Sequence, residues 1–114
     1  MSDCLFCKIV AGEIPAKVVA ESDTSLAFHD IAPQAPVHVL VIPKRHFTSV
    51  NDVAAADAGV FDDLFRLMEQ VVVNEGVRES GYRLVFNVGE DGQQTVAHLH
   101  MHVLGGRRMT WPPG

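Results

Sequence analysis

The chain has 114 residues and a mass of 12.4 kDa, and 47% of it is hydrophobic, which suits one compact domain with a single core and excludes disorder. Against 9 basic residues stand 14 acidic ones, for a net charge of −5 with no basic block; this disfavours a nucleic-acid polymer as partner, since that affinity comes mostly from phosphate neutralisation. No apolar run is long enough to span a bilayer, and Met1-Ser2-Asp3-Cys4-Leu5-Phe6-Cys7-Lys8 lacks a secretory pattern, so a soluble, cytoplasmic protein is expected.

Residues 3–13 mix Cys4, Leu5, Phe6, Cys7, Ile9 and Val10 into a short helix or turn, ended by Gly12 and Pro15. Cys4 and Cys7 are too close for a framework disulfide and fit a metal-binding pair better, although two ligands alone are a weak zinc signal. Residues 17–21 and 24–29 are short strands that Glu21-Ser22-Asp23 joins into a hairpin, and the prolines of 30–36 make that segment a loop. Residues 38–42 form a strand stopped by Pro43, with His38, Leu40 and Ile42 on one face.

Val60, Leu64, Leu67, Met68 and Val71 recur at helical spacing with Asp62, Asp63, Arg66, Glu69 and Gln70 between them, which predicts one long amphipathic helix packed on the core and ended near Gly76. Residues 82–88 are a further strand, 89–95 a Gly-rich turn, and 98–104 a last strand that should be its hairpin neighbour. The sum is an α+β fold: about five mostly antiparallel strands, one long helix across one face and a short N-terminal helix, as a single domain over 1–114. A domain this small encloses a ligand poorly, which makes a pocket completed by a second copy plausible.

On a strand over 98–104, His98, His100 and His102 share one face while Leu99, Met101 and Val103 face a core. Like-facing neighbours on a strand are roughly 6.5–7 Å apart, too far for one ring to touch the next but near enough for each to work on part of one small ligand. Imidazole changes protonation near neutral pH, so the row suits a nucleophile, an acid/base or a metal ligand, and a single metal site is an open alternative.

The order His-hydrophobic-His-hydrophobic-His-hydrophobic-hydrophobic resembles the signature of the histidine triad (HIT) family of nucleotide hydrolases and transferases, and residues 98–104 match it throughout. Trp111-Pro112-Pro113-Gly114, after Gly105-Gly106-Arg107, resembles the end of its Hint branch, the nucleoside phosphoramidases. Further resemblances are Glu13-Ile14-Pro15-Ala16-Lys17, Phe28-His29-Asp30-Ile31-Ala32-Pro33-Gln34-Ala35-Pro36, Val41-Ile42-Pro43-Lys44-Arg45-His46 and Gly81-Tyr82-Arg83, which together span nearly the whole chain.

The resemblance implies a dimeric HIT-like fold and a purine nucleoside phosphoramidase that cleaves the P–N bond of AMP or GMP phosphoramidates, or of aminoacyl or lysyl adducts of AMP. His100 takes the family's nucleophile position, forming a nucleotidyl-histidine; His102 takes that of a donor to the phosphoryl oxygens, and His38 that of an orienting proton relay. Asp30 matches the acid that pairs with the ribose hydroxyls. Leu5, Phe6, Ile9, Ile14, Phe28, His29 and Ile31 resemble the clamp around the base, and Asn87, Gln94 and Thr95 the phosphate surroundings. Trp111 resembles the tail tryptophan that shapes the partner's site, or else is a buried aromatic anchoring the tail.

Cys4, Cys7, His46 and His98 match a closed structural zinc site of bacterial-type relatives, and no organic cofactor is implied. Two departures stand out: Gln93 replaces the usual glycine of the turn, and Thr110 stands where a histidine is common. Other branches with the same triad are dinucleotide polyphosphate hydrolases and nucleotidyl transferases, and a non-catalytic nucleotide-sensing scaffold is the reading of another class.

Overall fold

A computed structural model describes residues 3–114. The N-terminal segment turns into a short helix, α1 (Leu5–Val10), begun by Cys4, whose Sγ accepts from the Cys7 backbone N–H at 3.4 Å. Then come β1 (Val18–Glu21), β2 (Ser25–His29) and β3 (Val37–Pro43). Two 3-10 turns, Val50–Asp52 and Ala55–Asp57, lead into α2 (Gly59–Asn74), and β4 (Tyr82–Val85) and β5 (Met101–Gly105) close the sheet. All pairings are antiparallel, in the order β1-β2-β3-β5-β4.

Strand alternation divides the apolar residues between the two faces of this sheet. On one face Leu64, Leu67, Met68, Val71 and Val72 of α2 pack against Ala27, Val39, Val41, Met101 and Val103. The other face carries Leu26, Phe28, Leu40 and Ile42, covered by Phe6 with Ile9 and Val10 of α1. The helical periodicity over 60–71, the first hairpin and the pairing of β4 with β5 are as the sequence predicts.

Two strands are shorter than expected. The strand over 82–88 stops at Val85, and the one over 98–104 begins only at Met101, leaving His98 in a bend and His100 in irregular backbone. Val41 faces Met101, so extending that register sets Pro43 opposite Leu99. Proline has no N–H for a ladder, and the Leu99 N–H goes instead to the Phe47 carbonyl at 2.7 Å. The histidine row is therefore half strand and half loop.

Candidate active site

Four histidines gather on the α1 side of the sheet, held by three different elements. His38 lies on β3 and His102 on β5, one residue pair out of register, since Leu40 faces His102 and His38 faces Leu104. That diagonal brings His38 Nε2 to 2.9 Å from His102 Nδ1. His100 and His102 have ring centroids 4.9 Å apart, an edge contact that corrects the 6.5–7 Å spacing expected of a regular strand, because His100 precedes the ladder. Phe6, 4% exposed, stands edge-on to both His98 and His100, with centroids 5.8 and 5.3 Å away.

Backbone groups, and for His102 the neighbouring His38 ring, fix which nitrogen bears the proton. The Gln34 N–H donates to His38 Nδ1 at 3.0 Å, so neutral His38 carries its proton on Nε2 and donates it to His102 Nδ1. His102 then carries its own proton on Nε2, a buried donor without a partner among the described residues. His100 Nδ1–H donates to the His98 carbonyl at 2.7 Å, which leaves the lone pair on His100 Nε2. A nucleophilic nitrogen and an unpartnered donor thus sit on adjacent rings.

Burial holds all four rings in the neutral form. It lowers the pKa of His38 against the opposing pull of Asp30, and those of His98 and His100 against their backbone hydrogen bonds. His102 falls furthest, to about 4, through burial first and then the neighbouring His100 and His38. Asp30 Oδ2 is 3.5 Å from His38 Nε2, while its Oδ1 accepts from the Ala32 N–H at 2.8 Å. Its carboxylate therefore borders the relay.

A second cluster adjoins the first. His98 Nε2–H donates to the Pro43 carbonyl at 2.9 Å, which turns the Nδ1 lone pair toward Cys4 Sγ at 3.3 Å, Cys7 Sγ at 3.5 Å and His46 Nδ1 at 3.2 Å. Cys7 Sγ is also 3.3 Å from His46 Nδ1. Zinc bonds of about 2.0–2.3 Å in tetrahedral geometry set neighbouring ligands roughly 3.3–3.8 Å apart, so these four residues fit a metal ion of that kind. A ligating imidazole commonly donates its other ring N–H to a backbone carbonyl, as His98 does to Pro43.

Residues 11–109 match the HIT domain family. The chain belongs to the HIT family. An uncharacterized HIT-like protein of Synechococcus elongatus is 48% identical over 112 residues, covering 98% of this chain and 97% of that one. The crystal structure of a HIT family hydrolase from Legionella pneumophila superimposes with a TM-score of 0.95 at 54% identity, over 98% of this chain and 100% of that one. A hypothetical histidine triad nucleotide-binding protein of Sulfolobus tokodaii gives 0.79 at 32% identity, over 90% of this chain and 68% of that one.

The remaining predicted residues of this HIT protein divide by face. Phe6, Ile9 and Phe28 lie together beside the histidines, and Ile31 is fully exposed in the loop beside Asp30. Leu5 is partly exposed and, with Thr95, lines an open cleft of about 610 Å³ next to Cys4 and His46. Ile14 and Asn87 are half-buried. His29 is not brought to the group: alternation with Phe28 turns it to the α2 side, its Nδ1 3.9 Å from Glu75 Oε1.

Gln94 spends its side-chain amide on the loop, donating to the Thr48 and Val96 carbonyls at 2.6 and 3.0 Å and accepting from the Gly89 N–H at 3.3 Å. Gln93, in the glycine position, adopts φ 57°, so the turn keeps the left-handed conformation without its usual residue. Trp111 is 80% exposed, which excludes a buried anchor within one copy. Sequence reasoning missed the Gln34 N–H and the His98 and Pro43 carbonyls; as backbone groups they carry no side-chain signal.

Proposed function

We propose that this HIT protein is a purine nucleoside phosphoramidase acting through a nucleotidyl-histidine on His100. The observation that carries the reading is the pair of tautomers: a lone pair on His100 Nε2 beside the buried, unpartnered Nε2–H of His102. His100 Nε2 forms a bond to the phosphorus of a phosphoramidate as the P–N bond breaks, and the leaving nitrogen takes a proton from solvent and departs as the amine. Water then displaces His100, releasing the nucleoside monophosphate. The His102 Nε2–H donates to a phosphoryl oxygen as charge develops there, and His38 keeps that donor in place.

The nucleoside binds between the Asp30 loop and the apolar group of Phe6, Ile9, Phe28 and Ile31, with Leu5, Ile14, Asn87 and Thr95 at its margins; a carboxylate with two acceptor oxygens suits a ribose diol. A phosphoramidate is favoured over a dinucleotide polyphosphate by the Trp111-Pro112-Pro113-Gly114 end. The protein works as a homodimer, a reading supported by Trp111, whose exposed ring is available to a second copy. Cys4, Cys7, His46 and His98 hold a structural zinc, which supplies no chemistry to the reaction and ties the N-terminal segment to the triad.

Purified protein given an AMP-linked amine reporter should release the amine, and His100→Ala should lose more than about a hundredfold of that rate. Turnover unchanged in this variant defeats the assignment.

A further inference from the structure

The Gly105-Gly106-Arg107 run at the end of β5 has a structural use beyond ending the strand. A Cβ on Gly105 would meet Val77 Cγ1 at 2.9 Å, and one on Gly106 would meet Pro36 Cβ at 2.8 Å, so both glycines permit close approach. The chain leaving β5 therefore lies directly against the 33–36 loop. There the Arg107 guanidinium donates to the Gln34 carbonyl through Nη2 at 3.1 Å and Nε at 3.4 Å, and through Nη1 to the Arg108 carbonyl at 3.3 Å.

Gln34 is the residue whose N–H occupies His38 Nδ1. Within that loop Pro33 and Pro36 have no N–H to give, the Ala32 N–H goes to Asp30 Oδ1 at 2.8 Å, and the Gln34 side chain donates to the Ala32 carbonyl at 3.0 Å, so among the described residues Arg107 is the hydrogen-bond partner of the Gln34 carbonyl. We propose that Arg107 is a positioning residue, clamping Gln34 so that its N–H selects the His38 tautomer and thereby points the His38 proton at His102. No contact between Arg107 and substrate is required. Without the clamp, the Gln34 N–H leaves Nδ1, the His38 proton redistributes between its two nitrogens, and His102 loses the partner that keeps its own proton on Nε2.

The kinetic part of this inference rests on the phosphoramidase reading; the tautomer part does not. Arg107→Ala and Arg107→Lys are compared with the unaltered protein by ¹⁵N-detected imidazole spectra and by turnover of the AMP-linked amine reporter. In Arg107→Ala the His38 spectrum should change from a single Nε2–H tautomer to a mixture. Its kcat should fall about ten- to a hundredfold with KM held within about twofold, and Lys, which restores one donor, should recover part of both. An unchanged His38 spectrum in Arg107→Ala overturns the proposal whatever its turnover, and so does a changed spectrum with undiminished kcat. If the unaltered protein turns over no phosphoramidate, the functional reading fails while the spectra still decide the role of Arg107.

Discussion

His38 Nε2 and His102 Nδ1 lie 2.9 Å apart across the β3–β5 ladder, and neither ring could hold its tautomer alone. The Gln34 N–H orients the first, the first orients the second, and the second is left with a buried donor that has no acceptor among the described residues. A buried donor without a partner costs stability, roughly 1–3 kcal/mol, and such a cost is commonly retained where a ligand supplies the missing acceptor.

The pH dependence of stability follows from His102. Its pKa is lowered from 6.5 to about 4, by burial foremost and by His100 and His38, with Asp30 opposing. Above 6.5 the ring is neutral folded or unfolded; between 6.5 and about 4 the unfolded chain takes up a proton that the folded protein refuses. Stability is therefore lost as pH falls through that window. Imidazole NMR should show His102 titrating near 4, and urea unfolding should be easier at about pH 5 than at about pH 7; titration near 6.5 contradicts the buried relay.

Metal removal tests the Cys4, Cys7, His46 and His98 cluster. Native mass spectrometry should find one zinc per chain, and Cys4→Ser with Cys7→Ser should abolish it. Because His98 both faces that cluster and lends its carbonyl to His100 Nδ1, chelation should lower kcat as well as Tm, the latter by at least about 5 °C. A protein that binds no zinc, or one whose Tm ignores its loss, contradicts the structural role.

The α2 core has its own check. Leu64 is fully buried against the sheet, so Leu64→Ala should cost about 2–5 kcal/mol by urea denaturation. Val73, 59% exposed on the same helix, should tolerate Ala within about 0.5 kcal/mol. Equal costs at the two sites would mean that the amphipathic stripe is misassigned.

What was legible in the sequence was periodic. Val60, Leu64, Leu67, Met68 and Val71 announce a helix because 3.6-residue spacing puts them on one stripe, and Leu99, Met101 and Val103 do face the α2 core. The alternation puts the histidines on one face, as the structure does, but the single strand it predicts over 98–104 forms only from Met101. Pro43, distant in sequence, ends the ladder before it reaches His98, and no local pattern within 98–104 carries that information. The same blindness applies to His29: neighbouring Phe28 and Asp30 invite its inclusion, while strand alternation sends it toward Glu75.

Chemistry at His100 is most directly tested by trapping it. Protein quenched during turnover of a phosphoramidate and digested should yield the His98–His102 peptide heavier by one nucleotidyl group, with fragmentation assigning the added mass to His100. Turnover with no nucleotidylated histidine, or with the group on any other residue, would contradict the account.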